Sequence, residues 1–75
     1  MALPDIKELN PQNFRKFRGQ GARRAKVQFD PETEMVYVVI DGIFFTSSRF
    51  HSFPRGSAVL ISLAAGDSTV SILRA

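Results

Sequence analysis

Residues 35–46 read MVYVVIDGIFFT, and this stretch decides the fold. The run Met35–Ile40 is apolar throughout and largely β-branched, which favours a central strand covered on both faces. Asp41-Gly42 follows it, and an Asp-Gly pair between two apolar runs predicts a two-residue type I′ hairpin, because both central positions need a positive φ. Ile43–Thr46 then forms the returning strand. The sequence therefore predicts an antiparallel hairpin at the centre of a β domain.

Further strands are predicted on both sides of this hairpin. Upstream, the period changes after Ala22, and Ala25, Val27 and Phe29 alternate with polar residues, which is the period of a strand with one wet face. Asp30-Pro31 then begins a type I turn. Downstream, apolar residues alternate again in two segments, Ser57–Leu63 and Thr69–Arg74. Five strands joined mainly by short turns predict an antiparallel meander that forms a small barrel or curled sheet, with an SH3-like, Sm-like or OB-like layout.

Residues 1–21 are predicted to form a basic N-terminal arm, and residues 22–75 the β domain. An Asn-Pro start and a glycine stop predict a short helix over Pro11–Arg18. A shorter helical turn is predicted over Pro4–Leu9. Gly19-Gln20-Gly21 breaks the helix and is expected to act as a hinge between the arm and the β domain.

Four phenylalanines can be assigned to the core or to the surface from their spacing. Phe14 and Phe17 lie three residues apart, on one side of the predicted helix, and are expected to pack on the core. Phe44 and Phe45 are neighbours in a strand and therefore point to opposite faces. One of these two is expected to be exposed, covered by the helix or buried in an interface.

Charge is distributed unevenly along the chain. The net charge is +3, yet residues 1–26 carry seven basic and two acidic side chains, and residues 27–75 carry three basic and five acidic ones. Six of the cations fall within the thirteen residues from Phe14 to Lys26. Such clustering indicates an anionic partner for the arm.

Catalysis and metal binding are not expected. The chain has no cysteine and one histidine, His51, so neither a thiolate nor an all-histidine zinc site can form. No carboxylate lies near His51 in the sequence to orient it, and turn chemistry explains Asp30, Asp41 and Asp67 without a catalytic role. We expect a non-enzymatic binding protein without a cofactor.

The partner favoured by the sequence is nucleic acid, either DNA or RNA. Cations attract phosphates through counterion release, and exposed aromatic side chains stack on unpaired bases. The predicted nucleic-acid-binding residues are Arg15, Lys16, Arg18, Arg23, Arg24, Lys26, Arg49, Phe50, Phe53 and Arg55.

An alternative function is a protein-binding regulator or the subunit of a homo-oligomeric assembly. Strand edges can pair with another chain, and a patch of Phe44, Phe50 and Phe53 would suit a protein contact. A chain of 75 residues with no disulfide also favours self-association as a source of stability. The sequence shows no export signal or membrane segment, so a cytoplasmic location without membrane contact is expected.

Overall fold

The computed structural model describes residues 5–75, so the start of the arm and of the helical turn predicted from Pro4 lies outside the described residues. The protein is mainly β. Its strands are β1 (Ile6–Glu8), β2 (Arg23–Lys26), β3 (Gln28–Asp30), β4 (Met35–Ile40), β5 (Ile43–Thr46), β6 (Ala58–Ser62) and β7 (Ser71–Arg74). Two 3-10 helices cover Arg15–Phe17 and Ser48–Ser52.

The central hairpin is confirmed at the predicted residues. β4 pairs antiparallel with β5, and Ile40 lies opposite Ile43. The turn residues Asp41 and Gly42 have φ values of 52° and 75°, as a type I′ turn requires. Coverage of β4 differs from the prediction, because Val36, Val38 and Ile40 are buried while the alternate residues are only half-buried. One face of β4 therefore packs on the core and the other lies at the surface.

We expect Gly42→Ala to lower the free energy of unfolding by about 1 kcal/mol, because a Cβ is disfavoured at positive φ. Space is not the cause, since no atom lies within 4 Å of the position that the Cβ would take. Thermal unfolding monitored by circular dichroism should show a melting temperature lower by about 4–8 °C. Gly66→Ala is the matched control because Gly66 has no positive φ, and an equal loss there would contradict this explanation.

The strands form two sheets that do not close into a barrel over the described residues. One sheet has the order β1–β5–β4–β3, and the other has the order β2–β6–β7. β1 pairs parallel with β5, and the remaining pairs are antiparallel. The helical turn predicted over Pro4–Leu9 is thus wrong for Ile6–Glu8, which is a strand.

The predicted meander is also wrong, because β6 does not pair with β5. It returns to pair with β2. When β2 and β3 are counted as one strand, β6, β2–β3, β4 and β5 follow one another in the strand order of a Greek key. Two features account for this order. The edge of β5 that a meander would use is occupied by β1, and the connection from Thr46 to Ala58 is long enough to cross the core.

β2 and β3 are two halves of one bent strand that joins the sheets. The bend lies at Val27, whose side chain is buried in the core. Its N–H donates to the carbonyl of Ser57, and its carbonyl accepts from the N–H of Gly56, both at about 2.9 Å or less. Val27 therefore keeps its backbone bonded while the chain passes from one sheet to the other.

The helix predicted over Pro11–Arg18 is wrong as well: this segment forms turns and one short 3-10 helix. Eight residues are too few for a stable isolated helix. In a 3-10 helix, residues three apart stand directly above one another, so Phe14 and Phe17 can both face the core. Both rings are buried, with their centroids 4.7 Å apart, as expected from their spacing.

The core lies between the two sheets and includes these arm residues. Phe45 is fully buried, and its ring packs edge-on against Phe14 at 5.4 Å and Phe17 at 6.5 Å. Phe50, from the second 3-10 helix, is also fully buried. The arm thus shares one hydrophobic core with the β strands rather than extending away from them.

Candidate nucleic-acid interface

The outer face of the β2–β6–β7 sheet carries two of the predicted cations. Arg24 and Lys26 are exposed, while Ala25 between them is buried, so both cations point away from the core. Cross-strand register defines the other members of this face, because directly opposite residues lie on the same side of a sheet. Arg24 lies opposite Leu60, which lies opposite Leu73, and Lys26 lies opposite Ala58.

We call this surface the basic face. Its strand residues are Arg24, Lys26, Ala58, Leu60, Ser62, Ser71 and Leu73. None of these residues is acidic. Because each strand residue advances about 3.4 Å, the Cα atoms of Arg24 and Lys26 are about 7 Å apart along β2. Two regularly spaced cations at a sheet edge, next to small polar and apolar side chains, can contact an extended polyanion.

The other arm cations have different surroundings. Arg15 and Lys16 are exposed on the first 3-10 helix, and the Lys16 ammonium lies 5.5 Å from the centroid of the Phe17 ring. Arg23 lies 5.1 Å from the same ring, and its guanidinium is 3.9 Å from the Asp41 carboxylate. Arg23 is therefore partly neutralised, whereas Arg15 and Lys16 remain accessible to an anion.

Arg18 is held by the protein itself. Its Nη1 donates to the backbone carbonyls of Ala64, Ala65 and Asp67 at 3.1, 2.9 and 3.0 Å. The Gly19 N–H donates to the Leu63 carbonyl at 2.7 Å and supports the same contact. Arg18 thus fastens the arm to the β6–β7 loop, and this structural role explains its position without a ligand.

We expect Arg18→Ala to lower the free energy of unfolding by about 1–2 kcal/mol, since hydrogen bonds from charged donors are each worth about 1.5–3 kcal/mol when shielded and this group is partly exposed. Urea unfolding would measure the loss. Arg15→Ala is the matched control and should change stability by less than about 0.5 kcal/mol, because Arg15 is exposed. Equal effects of the two substitutions would contradict the role assigned to Arg18.

A groove of about 370 Å³ lies where the arm meets this loop. It is lined by Gly19, Gly21, Ala22, Ser62, Leu63, Ala64 and Ala65. Gly19 and Gly21 have φ values of 73° and 82°, so the predicted hinge is a defined turn that favours glycine at both positions. Ser62 belongs both to this groove and to the basic face, which connects the two surfaces.

A second groove, of about 390 Å³, has an aromatic lining. It is lined by Phe29, Glu34, Val36, Phe50, His51, Phe53 and Arg55. We call it the aromatic groove. The guanidinium of Arg55 lies over the Phe29 ring, 3.8 Å from its centroid. Phe29 and Phe53 are half-buried, so parts of both rings are accessible.

The predicted aromatic and arginine residues that follow the central hairpin fall into three groups. Phe53 and Arg55 belong to the aromatic groove, and Phe50 contributes to its lining but is fully buried in the core. Arg49 donates from Nη1 to the Val70 carbonyl at 2.7 Å, so it ties the second 3-10 helix to the segment before β7. Phe44 lies elsewhere, on the outer face of the β1–β5–β4–β3 sheet, so the predicted phenylalanine patch is not continuous.

The β3–β4 turn forms one rim of the aromatic groove. The Thr33 hydroxyl donates to the Asp30 carboxylate at 2.6 Å and is the largest cause of the lowered pKa of Asp30, followed among the lowering causes by the N–H groups of Glu32 and Thr33. Since the folded-state pKa is lowered, this carboxylate stabilises the turn at neutral pH, and the contribution is lost as the pH falls through that pKa. Glu34 has a φ of 60°, and its N–H donates to the Asp30 carbonyl at 2.7 Å.

Two aromatic residues outside the predicted set lie at the surface. Phe29 alternates with polar residues and was expected only as a strand residue, so nothing in the sequence connected it with Arg55. Tyr37 stacks on Phe44, with ring centroids 5.3 Å apart and an interplanar angle of 23°. The type I′ hairpin brings this pair together, since Val39 lies opposite Phe44 and Tyr37 lies opposite Thr46.

Within residues 5–75, no cluster of three or more histidine, cysteine or carboxylate side chains could hold a metal ion. The same part of the chain contains no helix whose length and hydropathy would allow it to cross a bilayer. Comparison with known proteins finds no matching family model, no matching curated protein and no matching solved structure.

Proposed function

We propose that this protein binds nucleic acid through the basic face, with Arg24 and Lys26 in contact with phosphates. The observation that carries the proposal is the register of the β2–β6–β7 sheet, which places both exposed cations on one acid-free face. Within residues 5–75, neither side chain makes hydrogen bonds to backbone carbonyls of the kind that hold Arg18 and Arg49. Phosphate contacts of this kind provide affinity without sequence preference.

The arm adds two further exposed cations. Arg15 and Lys16 lie on the arm, whose Gly19–Ala22 segment lines the groove that adjoins the basic face. The groove has small side chains, so a sugar-phosphate backbone can approach the protein closely. Leu60 and Leu73 provide apolar area beside the cations, against which a base or sugar can pack. The acidic residues lie off the basic face, chiefly in the β3–β4 turn, at Asp41 and at Asp67 in the β6–β7 loop.

Titration of labelled single-stranded and duplex oligonucleotides, followed by fluorescence anisotropy at two salt concentrations, tests the proposal. With about four phosphate contacts on a single strand, log K should fall with a slope of about −2.8, or roughly 50-fold between about 50 and 200 mM salt. No binding at the lower salt concentration, or an affinity that salt does not change, would refute nucleic-acid binding.

A second candidate function, self-association, is favoured by the edge of the same sheet. β7 is an edge strand, and Leu73 on its outer face is 61% exposed. An exposed strand edge with an apolar side chain can pair with a second copy of the chain. In this case two β7 strands would meet and extend the sheet across both protomers.

We expect Leu73→Lys to convert any oligomer to a monomer, because a lysine on an edge strand opposes pairing with another strand. Light scattering coupled to size exclusion would measure the mass of wild type and variant across a concentration series. The variant should retain nucleic-acid binding, since it adds a cation to the basic face. A monomeric wild type at all concentrations would eliminate the assembly function and leave nucleic-acid binding unaffected.

A further inference from the structure

We infer that the aromatic groove holds one unpaired base, and that it favours bases with an exocyclic amino group over uracil and thymine. This inference rests on the proposed nucleic-acid binding and adds a base-reading site to it. The groove and the basic face adjoin the same bent strand: Lys26 precedes the bend at Val27, and Phe29 follows it. Gly56, next to Arg55, donates its N–H to the Val27 carbonyl at 2.8 Å. Phe29 lies on the core side of β3, opposite the buried Val36, whereas Lys26 lies on the outer face of β2, so a bound strand must pass around the bend at Val27 to place a base in the groove.

The groove has the size and the stacking surfaces that a base needs. Its volume of about 390 Å³ lies within the roughly 300–1,000 Å³ typical of small-ligand sites. Phe29 and Phe53 provide ring surfaces, and the planar guanidinium of Arg55 already lies on the Phe29 ring at 3.8 Å. Single-stranded nucleic acids are recognised by stacking of unstacked bases on aromatic rings and on arginine planes.

The polar groups of the groove carry the selectivity. Glu34 can only accept hydrogen bonds when ionised, whereas Arg55 can only donate them. A carboxylate accepts well from the amino group of cytosine or adenine. Uracil and thymine present a carbonyl oxygen at the equivalent position, and this oxygen would face the carboxylate without a proton between them. Arg55 is available for the ring nitrogen or carbonyl acceptors of the same base.

The backbone at Glu34 provides independent support. A φ of 60° is costly for a residue with a long side chain, and glycine or asparagine would occupy this turn position more readily. The turn alone therefore accounts for the positive φ but not for a glutamate. Its presence on the rim places a carboxylate at the groove, where it can act on a ligand.

The test compares octamers of adenine, cytosine and uracil or thymine, in ribo and deoxyribo form, with wild type and with Glu34→Gly. Glycine keeps the positive φ and removes the carboxylate. We expect wild type to bind the adenine and cytosine octamers about tenfold more tightly than the uracil or thymine octamer, the equivalent of one good base contact. In Glu34→Gly this ratio should fall below about threefold, mainly because binding of the uracil or thymine octamer improves.

Glu32→Gly is the matched control, because it removes a carboxylate from the same turn at a residue that does not line the groove. It should strengthen binding of all octamers alike and leave their ratio unchanged. An equal ratio change in both variants would overturn the role of Glu34. NMR spectra of the Phe29 and Phe53 rings provide a second readout, and both should shift when the cytosine octamer is added.

Failure of this inference can be separated from failure of the proposed function. If octamers bind with a steep salt dependence while the Phe29 and Phe53 resonances stay unchanged, the base site is refuted and phosphate binding on the basic face stands. If no octamer binds at low salt, nucleic-acid binding itself is refuted, and the base site with it. Equal affinity for all octamers in the wild type refutes the selectivity.

Discussion

Phe45→Ala is expected to lose about 3–5 kcal/mol of unfolding free energy, the cost typical of truncating a fully buried phenylalanine. The ring has no exposed surface and contacts both Phe14 and Phe17, so the cavity would open where the arm joins the β strands. A domain of 75 residues has a total stability of about 4–11 kcal/mol, at about 0.05–0.15 kcal/mol per residue. The variant should therefore lose between about a quarter and all of its stability at 25 °C, and urea titration would measure the loss.

Phe44→Ala is a matched control in the next residue of the same strand. Phe44 is only half-buried and lies on the outer face, where it stacks on Tyr37. Its truncation leaves no enclosed cavity, so we expect a loss of about 1 kcal/mol, the usual scale for an aromatic pair at a surface. Similar losses for the two variants would contradict the placement of Phe45 in the core and Phe44 outside it.

The contrast between Phe44 and Phe45 shows which features of the fold could be predicted from the sequence alone. Strand alternation requires Phe44 and Phe45 to face opposite sides, and the Asp41-Gly42 turn fixes their register on β4. Both facts are local and could be predicted. Which of the two faces is the core depends on what covers the sheet, and that depends on contacts with the arm, more than twenty-five residues away in the sequence.

Strand order was missed for the same physical reason. Hydrophobic period identifies a strand but not its partner, and pairing partners here are set by β1, whose three residues carry no distinct strand pattern. β1 occupies the free edge of β5, and β6 must then pair with β2. The arm helix was wrongly predicted because its expected start and stop residues also occur in turns, while the packing of Phe14 and Phe17 selects the tighter 3-10 geometry.

The candidate site was predictable in composition and not in arrangement. Clustered cations predicted an anion-binding surface, but nothing in the sequence distinguished Arg18 from Arg24 as a ligand-binding residue. Carbonyl groups of the β6–β7 loop distinguish them, because they satisfy Arg18 and leave Arg24 exposed. The Arg55–Phe29 stack joins residues that are far apart in sequence, and it forms only because the second 3-10 helix carries the chain back across the core.

Because Arg24 and Lys26 are exposed while Arg18 is bonded to the protein, substitution of these two exposed cations is expected to have the second large effect. We expect Arg24→Glu combined with Lys26→Glu to weaken single-strand binding by about 10–100-fold at about 50 mM salt, since each lost charge-assisted contact is worth about 1 kcal/mol or more. The salt slope should fall by about 1.4, because each phosphate contact contributes about 0.7. The fold should be retained, because both side chains are exposed and point away from the core.

A control variant must separate the effect of net charge from the effect of where the substituted cations lie. Lys7→Glu combined with Arg74→Glu makes the same change in net charge, and both residues are exposed and lie off the basic face. Lys7 lies in the other sheet, and Arg74 lies opposite the buried Val59 on the side of β7 away from the basic face, so this control should keep its affinity within about fivefold and its salt slope unchanged. If both double variants lose affinity and slope equally, the attraction is a property of the overall charge and the basic face is not the binding surface. A loss confined to Arg24 and Lys26 would instead locate the phosphate contacts on the outer face of the β2–β6–β7 sheet, whose strand residues include no acid.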